Sequence, residues 1–306
     1  MNKSEQIPQF NSKLKDIFIK FISYKKLTGR KIRLYTTVLK TFDSFCEEKF
    51  PLSDRLEKET VDEFLQVSEY RKHTSVLTYA SALRELGRFM KQVLLIEDAY
   101  VSSLRGSRKS SYIPYIFNED EILRLMKSAS NFSSCNDRLK PNMKNAVGCL
   151  YLLLYCTGMR VSEALALKSE DVSLEEGVIL VTETKNGKQR LLPISESLRR
   201  KCHDYVTKRI SHHHVYFFDS GAERNNGYID KGTAYNYFRI LLKESEISHR
   251  GKGNGPRLHD LRDSFAVHSL QKLNESGEDV NSLLEYLSLY LGHNSIYETQ
   301  DYLQCH

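Results

Sequence analysis

Residues 146–167 read AVGCLYLLLYCTGMRVSEALAL, and the fold turns on this passage. Its opening, AVGCLYLLLYC (146–156), is the most apolar run in the chain, yet it is too short to cross a bilayer, which takes about 20 residues. It therefore predicts a helix buried inside a globular unit. Directly after it the polarity changes, and Arg160, Ser162 and Glu163 arrive within a few positions.

The totals agree with a globular chain. At 306 residues it is long enough for two domains of ordinary size, and 40% hydrophobic with 27% charged residues argues against disorder. Lys and Arg number 45 against 39 Asp and Glu, a mild bias toward polyanionic partners. Cys46, Cys135, Cys149, Cys156, Cys202 and Cys305 are scattered, with no CxxC pair and no matching His spacing. That argues against a zinc motif and a disulfide framework, and it fits a reducing cytoplasm. The opening MNKSEQIPQFNSK is polar, so no signal peptide is expected.

Upstream, apolar residues recur at helix spacing four times. Leu14, Ile17, Phe18, Phe21 and Ile22 precede Gly29; Leu34, Val38, Phe42 and Phe45 precede Pro51; Val61, Phe64 and Leu65 make a short third stripe; Leu77, Leu83, Leu86, Met90 and Leu94 make a long fourth. Residues 11–98 are thus expected to be an all-helical unit behind a tail at 1–10. Basic groups dot its polar faces: Lys31, Arg33, Lys40, Arg71, Lys72, Arg84, Arg88 and Lys91. These are either solvated helix surface or phosphate contacts. A Ser-, Gly- and Arg-rich stretch at 99–117, with Arg105, Arg108 and Lys109, reads as a basic linker. Asn118, followed by Glu119, Asp120 and Glu121, is the expected N-cap of a second unit, 118–306.

One stretch of that unit reads as sheet, GVILVTETKNGKQRLLPI (177–194), two β-rich runs joined across Asn186–Gly187, a pair that tolerates the positive φ of a tight hairpin. HHH (212–214) has no accompanying ligand set and reads as a polar loop. RGKGNGPR (250–257) lacks the Walker order and reads as a basic lead-in to the next segment.

Besides CTGMRVSEALAL (156–167), three stretches carry chemistry: TETKNGKQR (182–190), RLHDLRDSF (257–265) and YLGHNSIYETQDYL (290–303). Guanidinium is always charged and forks onto phosphate oxygens, so Arg160 and Arg262 suit stabilisation of a pentavalent phosphate. Tyrosine, lysine and histidine can divide the roles of nucleophile and general acid. Tyr297 and Tyr302 stand five positions apart, about 140° around a helix, so both cannot serve one phosphate. Gly292 can end one helix, and Ser295 with Glu298 can cap another that holds Tyr297 in its first turn and Tyr302 at or beyond its end. Geometry alone leaves the choice open.

In this order the residues resemble the tyrosine recombinase, or phage integrase, family, from about residue 11 to the end. TGMRVSE matches a T-G-x-R-x-S-E pattern around Arg160; HDLR supplies His259 and Arg262; Leu291, Gly292 and His293 match L-G-H, with Tyr302 nine positions on. The family's hairpin lysine corresponds to Lys185 rather than Lys188. The resemblance implies a mainly α fold with a small antiparallel sheet: a helical core-binding (SAM-like) domain and a recombinase catalytic domain forming a C-shaped clamp on duplex DNA. It implies that Tyr302 attacks a DNA phosphate to give a 3′-phosphotyrosyl link, with no ATP, metal or other cofactor. Arg160 and Arg262 would hold the phosphate, Lys185 would protonate the leaving oxygen, His259 would assist proton transfer, His293 would hydrogen-bond the phosphate, and Glu163 would orient a neighbour. It also implies a homotetramer on synapsed DNA, a bacterial, nucleoid-associated setting and an accessory directionality protein.

Four residues follow Tyr302, so the segment that many relatives dock on a neighbouring protomer is not expected. The extended approach QKLNESGEDVNSLLEYLSLYLGH (271–293) looks like that of mobile-element integrases. Within the family the alternative is a recombinase that resolves chromosome or plasmid dimers. Outside it stand a type IB topoisomerase-like enzyme, disfavoured by the core-binding layout, and an inactive DNA-binding regulator, disfavoured by the complete residue set.

Overall fold

The computed structural model describes residues 8–67, 73–105, 113–132, 141–182, 189–209, 215–222, 224–249, 251, 255–277, 280–293 and 295–300. The chain divides into two compact units, Met1–Ser111 and Tyr112–His306.

The first unit holds α1 (Lys15–Leu27), α2 (Arg33–Lys49), α3 (Lys58–Val67) and α4 (His73–Gln92). All four stripes become helices, and α4 packs against each of the other three. Phe18, Phe21, Phe42, Phe64 and Phe89 make an aromatic core. Leu34 is the exception: it is 49% exposed, because Ile32, just ahead of α2, takes the buried place. Buried Asp43 on α2 accepts from the backbone N–H of Asn11 (2.8 Å) and Ser12 (3.0 Å), tying the approach to α1 onto the core. The start of the expected linker lies against α4: Ala99 is buried in this core, and Arg84 donates to the carbonyls of Ser102 (2.8 Å) and Leu104.

The second unit runs α5 (Glu119–Ser130), α6 (Pro141–Thr157), α7 (Val161–Ala166), β1 (Val172–Ser173), β2 (Val178–Val181), β3 (Arg190–Pro193), α8 (Glu196–Lys208), α9 (Lys231–Glu244), α10 (Asp260–Glu275), α11 (Val280–Leu291) and α12 (Tyr297–Gln300). Asn118 caps α5 as expected, its side chain accepting from the Glu121 N–H while Glu121 accepts from Asn118 N–H. The apolar run becomes α6, the centre of this unit, with α5, α7, α8 and α10 packed around it. Ala146, Val147, Leu150, Tyr151 and Leu153 are fully buried, and the Tyr151 hydroxyl donates to the Ala234 carbonyl on α9 at 2.8 Å.

The sheet is antiparallel in the order β1-β2-β3, with Val172 opposite Ile179 and Val181 opposite Arg190. β2 and β3 are the expected strands; the Asn186–Gly187 turn lies outside the described residues, as does HHH. β1 is a two-residue strand that no pattern announces, since alternation needs at least four residues to be visible. Cys46, Cys149, Cys156 and Cys202 are free thiols, and Cys135 and Cys305 lie outside the described residues. Among the described residues there is no metal-binding cluster of three His, Cys, Asp or Glu, and no helix is long and apolar enough to cross a membrane.

Candidate active site

The turn from α6 into α7 places the first arginine. Gly158 has φ 60°, and a Cβ there would lie 2.5 Å from Phe265 on α10 and 2.8 Å from Leu291 on α11. Only glycine lets these three helices meet so closely. Arg160 follows at the N-cap of α7, its backbone N–H donating to Glu163 Oε2 (3.0 Å) and its Nη1 to Glu163 Oε1 (2.9 Å). Its Nη2 donates to the Gly292 carbonyl at 3.0 Å.

Arg262, in the first turn of α10, is 2% exposed. It donates to the Gly158 carbonyl (2.6 Å) and the Leu291 carbonyl (2.8 Å). A third guanidinium arrives from the sheet: Arg190, the first residue of β3, donates through Nε to the Tyr290 carbonyl (2.9 Å) and through Nη2 to Glu163 Oε2 (2.7 Å). Three successive carbonyls at the end of α11, those of Tyr290, Leu291 and Gly292, are thus each held by an arginine from a different element. A helix C-terminus leaves its last carbonyls without intrahelical donors and carries partial negative charge, which suits this arrangement.

Glu163 is 2% exposed between Arg160 and Arg190. Burial pushes its carboxyl up, but hydrogen bonds and charge from Arg190, and then from Arg160, outweigh this and hold it below the ordinary value. The histidines move down. His293, half-buried, shares a 2.8 Å hydrogen bond between Nδ1 and the buried Thr299 hydroxyl. Burial, then the charges of Arg262, Arg160, His259 and Arg190, pull it to about 3. His259 stands immediately before α10, accessible at the surface yet closely surrounded. Desolvation and then Arg262 bring it to about 4, with Asp260 opposing and Arg160 and Lys231 adding to the shift. Both imidazoles are therefore neutral at pH 7, beside cationic guanidiniums.

The structure thus brings together Arg160, Glu163, His259, Arg262 and His293, the expected residues that it describes. Lys185 and Tyr302 lie outside the described residues. Tyr297 opens α12, as the capping pattern anticipated, and Tyr302 comes two positions after its last residue; the Tyr297 and Glu298 side chains are not among those described. Of the expected DNA-contacting set, Lys31, Arg33, Lys40, Arg88 and Arg105 are exposed, Arg84 holds the two carbonyls noted above, and Arg71, Lys72, Arg108 and Lys109 lie outside the described residues.

Arg190 and Thr299 were missed from sequence. Thr299 carries no signal, but Arg190 does: strand alternation puts it on the same side of β3 as buried Leu192, the core-facing side, where a charge requires partners.

Comparison with known proteins gives the same family. The family model described as phage integrase family matches residues 116–306. An integrase/recombinase of Sinorhizobium fredii is 33% identical over 207 residues, 66% of this chain and 65% of that protein, so the match spans slightly less than two-thirds of that relative. Tyrosine recombinase XerA of Pyrococcus furiosus is 29% identical over 293 residues, covering 94% of this chain and 88% of the relative. A lambda integrase tetramer bound to a Holliday junction superimposes with a TM-score of 0.67 at 19% identity, over 94% of this chain and 76% of that one.

Proposed function

Because the chain belongs to the phage integrase family, tyrosine recombinases that break and rejoin DNA, we propose that it integrates or excises a mobile element by site-specific strand exchange through a 3′-phosphotyrosyl intermediate. The observation that carries the strand-exchange chemistry is the gathering of Arg160, Arg262, His259 and His293 about the end of α11.

In the proposed reaction Tyr302 attacks the scissile phosphate while Arg160 and Arg262 stabilise the charge that grows on its non-bridging oxygens. Arg160 has five N–H donors and two of its side-chain nitrogens already brace it against Glu163 and Gly292, so it meets the phosphate held in place. His259, neutral at pH 7, assists proton transfer from or to the tyrosine, whose unperturbed phenol with pKa about 10 would otherwise retain its proton. His293 donates to the phosphate, and Lys185 protonates the departing 5′-oxygen. The chemistry assigned to these groups calls for no metal or cofactor.

The partner is double-stranded DNA, contacted by phosphate-binding groups that include Lys31, Arg33, Lys40, Arg88 and Arg105. The tetramer named for lambda integrase is the basis for proposing a homotetramer on synapsed DNA. The proposal also includes an accessory protein that sets direction and a bacterial nucleoid setting.

The test is covalent capture. Incubated with a nicked duplex carrying the element's end, the wild type forms a denaturant-resistant DNA adduct, and Tyr302→Phe forms none while binding the same duplex. Loss of the adduct in Tyr297→Phe instead would transfer the nucleophile. Capture on a single chromosomal site, with none on element ends, would move the assignment to dimer resolution; relaxation of any supercoiled plasmid without a second site would indicate a topoisomerase.

A further inference from the structure

Arg190 joins three elements that the reaction needs in register. It stands on β3, its Nη2 and Nη1 reach Glu163 Oε2 and Oε1 on α7 (2.7 and 3.3 Å), and its Nε reaches the Tyr290 carbonyl on α11 (2.9 Å). Glu163 uses both oxygens on both arginines, since Oε1 also receives Arg160 Nη1 and Oε2 the Arg160 backbone N–H. The contact is close on the other side as well: a Cβ at Gly292 would lie 2.9 Å from Arg190 Nη1. With 12% of its side chain exposed, Arg190 is less open to solvent than Arg160 at 17%.

We propose that Arg190 is a positioning residue for strand exchange, one that sets Arg160 through Glu163 and the α11–His293 junction through the Tyr290 carbonyl, without itself holding the DNA phosphate. This rests on the reading that Arg160 and His293 act on that phosphate. A planar fork is required: a lysine ammonium is a point charge and cannot present a parallel pair to Glu163 while donating to Tyr290.

The experiment compares Arg190→Lys, Arg190→Gln and Lys185→Ala with the wild-type full chain on the nicked duplex. It records DNA affinity, thermal midpoint, and the single-turnover rate of adduct formation at saturating DNA. Arg190→Gln is expected to bind within about twofold of wild type and to form adduct on the order of 10²-fold more slowly, the scale of loss for a reacting group misplaced by about 1 Å. Arg190→Lys keeps the charge and stays slow. If Arg190→Gln melts below the assay temperature, Arg190→Lys carries the same comparison.

A second substrate has sulfur in place of the 5′-bridging oxygen. Attack by the tyrosine oxygen then breaks a P–S bond and expels a thiolate, which leaves without an acid. Sulfur is expected to rescue Lys185→Ala and to leave the Arg190 variants slow. The proposal is overturned by wild-type rate in Arg190→Lys, by an affinity loss that matches the rate loss, or by full rescue with sulfur.

Absence of any adduct from the wild type would count against the proposed function instead. Histidine NMR of the DNA-free protein tests the positioning separately: His293 in Arg190→Lys shifts from its wild-type resonance as the junction moves, and an unchanged His293 signal overturns the proposal.

Discussion

Burial, and then the cations around them, hold His293 and His259 neutral, and this makes the folded protein sensitive to acid. Their folded values, about 3 and about 4, lie below the ordinary 6.5, so between these limits the unfolded chain binds protons that the native protein does not. Stability is then fully present above about pH 6.5 and falls with pH toward 4. Glu163 acts in the same direction lower down: its depressed carboxyl contributes stability above its ordinary value of 4.5, and that is lost as pH falls through the folded one. The thermal midpoint of the DNA-free protein is expected to decline from pH 6.5 to 4, and His293→Asn to flatten the upper part of that decline. A wild-type midpoint constant across that window would refute the assignment. At this scale the sequence was informative about identity and silent about partners. Arg160, Arg262 and both histidines stand in recognisable patterns, whereas nothing near Arg190 announces that it shares Glu163, 27 positions away, with Arg160.

At the scale of elements, the end of α11 organises the site, and Gly292 is its weak point. Its φ of 67° lies in the left-handed region, and a Cβ there presses on the Arg190 guanidinium. Gly292→Ala is expected to cost about 1–2 kcal/mol from backbone conformation alone. Displacement of Arg190 adds to this, so adduct formation should slow by more than the lost stability explains. Wild-type adduct rate together with an unchanged midpoint would show that the junction tolerates a side chain. The four helices of the first unit were readable because an apolar face repeats along them, and α6 was readable from its apolar run. β1 was not, since two residues contain no period. α12, four residues long, was foreshadowed only by Gly292 and the Ser295–Glu298 capping pattern.

Each of the two units has its own hydrophobic core; the expected DNA-contacting set, Lys31 to Lys109, falls within the first, and the proposed phosphate-holding Arg160 and Arg262 within the second. Affinity for duplex should fall steeply with salt, each phosphate contact contributing about 0.9 to the slope of log K against log salt. Alanine at Lys31, Arg33, Lys40 or Arg88 should lower that slope by about 1 if the residue meets a phosphate. Arg84→Ala should instead lower the thermal midpoint, because its guanidinium holds the carbonyls of Ser102 and Leu104; an unchanged midpoint with a reduced slope would return it to the phosphate-binding set. Local sequence determined the helices, the hairpin strands and the chemical inventory, because periodicity and side-chain type act over a few residues. Only the tertiary structure decided which groups share a centre. Arg160 meets the Gly292 carbonyl across 132 positions and Arg262 meets Gly158 across 104, and contacts at that separation arise from how α6, α7, α10, α11 and β3 pack.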